Sequence, residues 1–249
     1  MMRSRAPAAD WILAHRRVWE HKPSLRTVYG RFFAALRAAC LPGAPVVEVG
    51  CGPGFLKESY PEIVATDVAP NPFADVIGDA AALPLRDAAV GSLVMLDVFH
   101  HLPRPEAFLR EASRVLRPNG RLVMLEPWMG MAGRFLFRWL HHEECDLNVD
   151  PHHPWAGANK DPMLGNAALP YLYFGADGEL ERAGLPLRVV VRKPFAGLAW
   201  VLSAGFQPVG VLPARLVPLA EAVDRLISVA PAVTATRCVI VVEKRPERE

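Results

Sequence analysis

Apolar and polar positions along the chain follow two rhythms, one in short β-branched runs and one at helical spacing. Val46, Val47 and Val49 predict a strand over 46–49 that is buried on both faces. Later runs predict strands at Ile63–Thr66 (closed by Asp67), Val76–Asp79, Ser92–Leu96, Arg121–Glu126, Leu187–Arg192 and Thr236–Glu243. Helical spacing marks 10–21 and 24–40, broken at Pro23, with Leu25, Val28, Tyr29, Phe32, Phe33, Leu36 and Cys40 on one stripe of the second. These helices are expected to cover one edge of a sheet, with Tyr29 and Phe32 in core packing. Further helices read at Phe55–Tyr60 (stopped by Pro61), Pro105–Leu116, Phe195–Ser203 and Leu216–Val229. Arg117-Pro118-Asn119-Gly120 reads as a turn, and Gly205–Leu212 as a loop or a rival for the sixth strand. Strands alternating with helices predict a doubly wound α/β sheet.

Residues 127–186 break this rhythm. They are rich in Pro, Gly, His and Trp, and read as an insertion that caps the site and shapes a substrate pocket. The expected organisation is an N-terminal helical cap (1–45, its first nine residues unstructured), a core (46–126), the insertion (127–186) and a C-terminal completion of the sheet (187–249).

The chemistry gathers after the first strand, in VVEVGCGPGFL. Gly50, Gly52 and Gly54 let the backbone bend sharply and approach a ligand that a Cβ would exclude. The spacing is E-x-G-x-G-x-G with Glu48 inside the strand, not the G-x-G-x-x-G of dinucleotide folds. Asp67 follows Glu48 by nineteen residues, where a carboxylate can accept hydrogen bonds from ribose hydroxyls.

The stretch resembles motif I of the class I S-adenosylmethionine-dependent methyltransferases. GDAAALPLRDAAVGSLVMLDVFHHL extends the resemblance, and EAFLREASRVLRPNGRLVMLEPW is similar to a segment of small-molecule members, including quinone-biosynthesis methyltransferases. The likeness covers about residues 46–127. It implies a Rossmann-like sheet of seven strands with the last antiparallel, preceded by N-terminal helices and carrying an inserted cap between strands five and six. It also implies S-adenosyl-L-methionine as cofactor. Gly50, Cys51, Gly52 and Gly54 would pass under the cofactor's amino-acid end, and Glu48 would help hold its ammonium. Asp79 and Ala80 would receive the adenine, walled by Leu83, Pro84 and Leu85. Leu96 and Asp97 would lie beside the cofactor near the reacting methyl. His100, His101 and Glu126 are the candidate bases for removing an acceptor proton.

Composition narrows the setting. The 249 residues are 51% hydrophobic and 22% charged, enough apolar content for one decorated α/β domain. Cys40, Cys51, Cys145 and Cys238 form no C-x-x-C pair, which points to a reduced, cytoplasmic setting. Arg3, Arg5 and Asp10 interrupt any signal-peptide core. The uncharged stretch 194–214 holds three prolines and three glycines, and reads as a buried helix, a turn and a strand or loop. Residues 1–40 carry a balance of +6 within a total of +2, a solvated helix face that can also attract anions. His141, His142, Glu143, Glu144, Cys145, Asp146, His152 and His153 bear ligating groups, but no H-x-x-x-H or C-x-x-C spacing organises them, so no metal is expected.

The expected function is methyl transfer to a small-molecule or biosynthetic intermediate, with O-methylation favoured over C- or N-methylation. One alternative is a lipid or lipid-linked acceptor, with peripheral membrane contact through Trp128, Met129, Met131, Phe135, Phe137, Trp139 and the basic arm. Another is a non-catalytic cofactor-binding module. A nicotinamide oxidoreductase is disfavoured because Gly54 comes one residue too early. A nucleic-acid acceptor is disfavoured by the lack of an aromatic-basic platform.

Overall fold

The computed structural model describes residues 8–141, 143–154 and 165–246. Its strands are β1 (Val46–Val49), β2 (Val64–Asp67), β3 (Val76–Ile77), β4 (Val90–Leu96), β5 (Leu116–Pro127), β6 (Leu187–Phe195) and β7 (Arg237–Lys244). They form one sheet in the order β3-β2-β1-β4-β5-β7-β6. β1 to β5 pair in parallel, while β7 slots antiparallel between β5 and β6. The expected seven-stranded Rossmann-like architecture with an antiparallel last strand is therefore present.

Alternation along the strands feeds two cores. Val46, Val94, Val123, Leu125 and Val241 face one layer, and Val47, Val49, Leu93, Met95, Leu122, Met124, Ile240 and Val242 face the other. The first layer contains α1 (Ala8–His21), α2 (Pro23–Ala39), α3 (Phe55–Ser59), α8 (Leu198–Ser203) and α9 (Val217–Ile227). The second contains α4 (Pro105–Val115) with the short helices α6 (Leu169–Phe174) and α7 (Glu179–Arg182). α5 (Met131–Phe135) and α10 (Pro231–Thr234) complete the described helices. None of these is long and apolar enough to cross a membrane.

Several boundaries move for physical reasons. α2 does not close an edge: its Leu25, Val28, Tyr29, Phe32 and Leu36 stripe is buried against one face of the sheet, beneath β5 and β7. The expected turn at 117–120 is absorbed into β5. Leu116 pairs with Val90 and Arg121 with Ser92, so those four residues loop out opposite Gly91, with Asn119 at φ 61. β3 stops at Ile77 because Asp79 folds back to bridge Ala82. β6 runs on to Phe195, its register with β7 shifting between Val189 and Val191. Among the described residues, Gly205–Leu212 joins no strand. It is a loop tied to the start of α2 by Lys22, whose ammonium donates to the carbonyls of Gly205 and Gln207 at 2.8 Å each.

The insertion carries more order than its composition suggested. Leu169, Tyr173 and Phe174 are buried around Phe99 in the second core. This part of 127–186 is a wall of the domain, while Glu143 reaches the histidines at the carboxyl end of β4.

Candidate functional site

The bend after β1 is built as its glycines required. Gly50, Gly52 and Gly54 adopt φ of 74°, 47° and 76°, a region that side chains disfavour. A Cβ on Gly50 would stand 2.8 Å from the Val98 methyls, and one on Gly54 would stand 2.6 Å from Cβ of Phe73. Two amides of the bend, Gly50 N and Cys51 N, donate to the Thr66 carbonyl at 2.9 Å, locking it to β2. The indole of Trp11 lies over Gly52, and Arg16 donates to the Pro53 carbonyl at 2.8 Å and pairs with Glu58. α1 thus covers this loop, a contact no motif announces.

Two carboxylates flank the bend. Asp67, closing β2, accepts from Gly52 N at 2.8 Å and from Ala69 N at 3.1 Å. Glu48 is 5% exposed, and its Oε2 has no hydrogen-bond partner. Burial, with a smaller push from Asp67, raises its carboxyl to about 8. The three glycines make room for the chain's own Val98, Trp11 and Phe73, while the buried carboxyl oxygen of Glu48 without a partner fits a ligand that brings its own cation.

Asp79 and Ala80 sit one step beyond β3, drawn to β2 by the bond from Gly78 N to the Asp67 carbonyl at 2.9 Å. Asp79 is exposed, accepting from Ala81 N at 2.8 Å and pairing with Arg104 at 3.0 Å. Leu83 is buried, and its N–H donates to Glu111 at 2.7 Å, which fixes the wall segment 83–85 against α4.

The carboxyl end of β4 gathers the remaining candidates. Leu96 is partly buried. Asp97 takes φ 56, an uncommon conformation for a non-glycine residue, and its carboxylate pairs with Arg237 at 2.7 Å. Glu126 is fully buried. Its Oε1 accepts from Val98 N and Phe99 N at 2.9 and 2.8 Å, and its Oε2 meets His100 Nδ1 at 2.6 Å. Both oxygens are engaged within the chain, so Glu126 holds the turn at Phe99–His101. His100 is 1% exposed and turns its other nitrogen toward Glu143, with Oε2 at 3.4 Å. His101, more open, has Nε2 at 3.5 Å from Glu143 Oε1. Burial lowers the His100 imidazolium, but Glu143 and Glu126 outweigh that and raise it overall. Burial pushes Glu143 up, and the facing histidines more than reverse this and lower it.

Three further residues take part, and of these Arg237 had no signal in the sequence. Arg237 opens an apolar strand, is 1% exposed, and lies 4.7 Å from the Trp200 ring and 5.7 Å from that of Phe32. Tyr29 belongs to the core as expected, yet its hydroxyl feels Asp97 and Arg237, and burial pushes its phenol up. Glu143 reaches the site because buried Asn166 ties the insertion down. Asn166 N donates to the His100 carbonyl at 2.8 Å, and its side chain brackets Asp146. His142 lies outside the described residues.

Residues 47–124 match the family model for a methyltransferase domain. The malonyl-[acyl-carrier protein] O-methyltransferase of Hahella chejuensis is 30% identical over 129 residues, covering 40% of this chain and 46% of that protein. The ubiquinone biosynthesis O-methyltransferase of Xanthomonas oryzae pv. oryzae is 29% identical over 103 residues, covering 34% and 43%. The matches thus span less than half the length of these curated relatives. Among solved structures, the complex between a methyltransferase activator and a putative methyltransferase from Haloferax volcanii shares the fold, with TM-score 0.52 and 15% identity over 97% of each chain. The glycine bend and the first five strands lie within or beside residues 47–124, the part of the chain that is similar to methyltransferase domains.

Proposed function

We propose that the chain binds S-adenosyl-L-methionine and transfers its methyl group to a small-molecule or biosynthetic intermediate in the cytoplasm, an oxygen being the favoured acceptor atom. The observation that carries this reading is the unpartnered Glu48 carboxyl beside a bend of three left-handed glycines. In it, Glu48 faces the cofactor's ammonium, Gly50, Cys51, Gly52 and Gly54 pass beneath its amino-acid end, and Asp67 accepts from the ribose hydroxyls. Asp79 and Ala80 receive the adenine, with Leu96 and Asp97 beside the methyl. The cofactor supplies an electrophilic methyl on sulfonium, and the protein supplies position and charge. Orientation alone is worth on the order of 7–11 kcal/mol in such a displacement. In the metal-free chain His101, the more open histidine, takes the acceptor's proton, and His100 and Glu126 hold that turn in place. Relatives named as O-methyltransferases support oxygen over carbon or nitrogen. The part of the insertion that carries Glu143 covers the acceptor side.

Calorimetry on the purified chain is expected to give micromolar binding of S-adenosylhomocysteine, lost in an Asp67→Ala, Glu48→Ala double variant. Absence of binding by folded protein overturns the reading.

A further inference from the structure

Glu143, His101 and the inward nitrogen of His100 stand together at the carboxyl end of β4. His100 Nε2 is buried and has no hydrogen-bond partner, although Glu143 Oε2 is 3.4 Å away. The second close pair, His101 Nε2 and Glu143 Oε1, is at 3.5 Å. Both spacings are long for a charge-assisted hydrogen bond, about 2.7–2.9 Å. They match another geometry. Two ligands each about 2.0–2.1 Å from a tetrahedral cation stand about 3.3–3.4 Å apart. One ligating atom from each of His100, His101 and Glu143 falls within 4.8 Å of the other two.

The surroundings have the form that a metal-bound imidazole requires. The far nitrogen of His100 is held by the Glu126 carboxylate at 2.6 Å, and Glu126 is fixed in turn by two backbone amides. A carboxylate behind a ligating histidine sets its tautomer and raises its basicity. The two imidazole rings lie 4.1 Å apart, and Gly165, at φ 56, fits against both because a Cβ there would come within 2.8 Å of His100 and 2.9 Å of His101. Charge points the same way. Glu126 and Glu143 bring two negative charges into a buried space where the neighbouring Arg237 is already paired with Asp97.

We propose that His100, His101 and Glu143 form a divalent-cation site of the zinc type, with a fourth position open toward the acceptor. Two histidines and one carboxylate with an open position are a donor set that zinc accepts in catalytic sites. A cation there draws an acceptor oxygen to the carboxyl end of β4 and lowers the affinity of that oxygen for its proton. The proposal rests on the methyltransferase reading for its role, but not for its existence.

The test is equilibrium dialysis of the full chain against Zn²⁺, with Co²⁺ as a spectroscopic probe, near neutral pH. Expected are one equivalent of tightly held metal and a Co²⁺ spectrum with the intense visible bands of a tetrahedral site. Affinity falls by at least about tenfold in His101→Ala and in Glu143→Gln, and about 10–100-fold in Glu126→Gln. It is unchanged in His152→Ala/His153→Ala, which removes surface histidines. Folding of each variant is checked by circular dichroism. No stoichiometric binding by the wild-type chain, or equal affinity in His101→Ala and Glu143→Gln, overturns the site. S-adenosylhomocysteine is titrated into the same samples with and without metal, so loss of the cation site and loss of the cofactor reading register separately.

Discussion

Replacing Glu48 with glutamine separates stability from cofactor binding. The carboxyl is buried on β1, with a folded value of about 8 against an ordinary 4.5. An acid raised in the folded state favours folding while it is neutral. Its contribution is therefore intact below 4.5 and is lost progressively as pH rises toward 8. Each pH unit in that window costs about 1.4 kcal/mol. Between about pH 5 and about pH 8.5 the wild-type chain thus loses about 4 kcal/mol to this one group, an upper figure because the bend relaxes. Glutamine carries no such titration. Urea unfolding of wild type and Glu48→Gln at the two pH values isolates the term, since other groups cancel in the difference. The gap between the two proteins should widen by several kcal/mol in favour of glutamine at the higher pH. In the same buffers, cofactor affinity should rise with pH through about 8 in wild type, as the carboxylate forms opposite the ammonium, and stay flat in the variant. Parallel stability curves would refute the account of a neutral carboxyl waiting for a cation.

Three further outcomes follow from the same geometry. Asp67→Asn should weaken S-adenosylhomocysteine about 10–100-fold by calorimetry, the worth of hydrogen bonds to a charged acceptor, while leaving the melting temperature within a few degrees. Gly54→Ala, which places a Cβ at φ 76 and 2.6 Å from Phe73, should cost about 1–3 kcal/mol in urea unfolding and reduce cofactor affinity. Arg237→Met should cost about 3–5 kcal/mol by stranding Asp97, and adding Asp97→Asn should recover at least half of that loss; additive losses in the double variant would contradict a coupled pair.

What could be read from the chain and what could not divide along physical lines. The glycine bend was legible because backbone conformation there demands glycine, and Asp67 because strand length fixes where a carboxylate ends. The sheet was legible because Val46/Val47, Val94/Met95 and Val123/Met124 alternate between two cores. The helices of the insertion escaped because elements of four to six residues complete too few turns to show a period. Arg237 escaped because a lone cation at the head of an apolar strand looks like a solvated end. It becomes a buried partner of Asp97 only once β7 inserts beside β5. Glu143 was visible as a ligating type, but its spacing to His100 exists in space and not in the sequence, being set by Asn166 across a stretch of chain. Trp11 likewise meets Gly52 only through the packing of α1.

The charges at the carboxyl ends of the strands form a connected system. Glu48 and Asp67 are coupled beside the bend, while Glu126 and Glu143 meet His100 and Arg237 is paired with Asp97 at the end of β4. The methyl donor brings a sulfonium charge that its demethylated product lacks. At an effective dielectric of about 20, a unit charge about 6 Å from a carboxylate is worth about 3 kcal/mol. On the proposed function, an acidic surplus would hold the donor more firmly than the product and favour their exchange. A dication beside His100 would oppose the sulfonium if it arrived alone. Glu126 and Glu143 cancel its charge within the same cluster, so the acceptor side gains an electrophile while the donor side keeps the field set by Glu48 and Asp67.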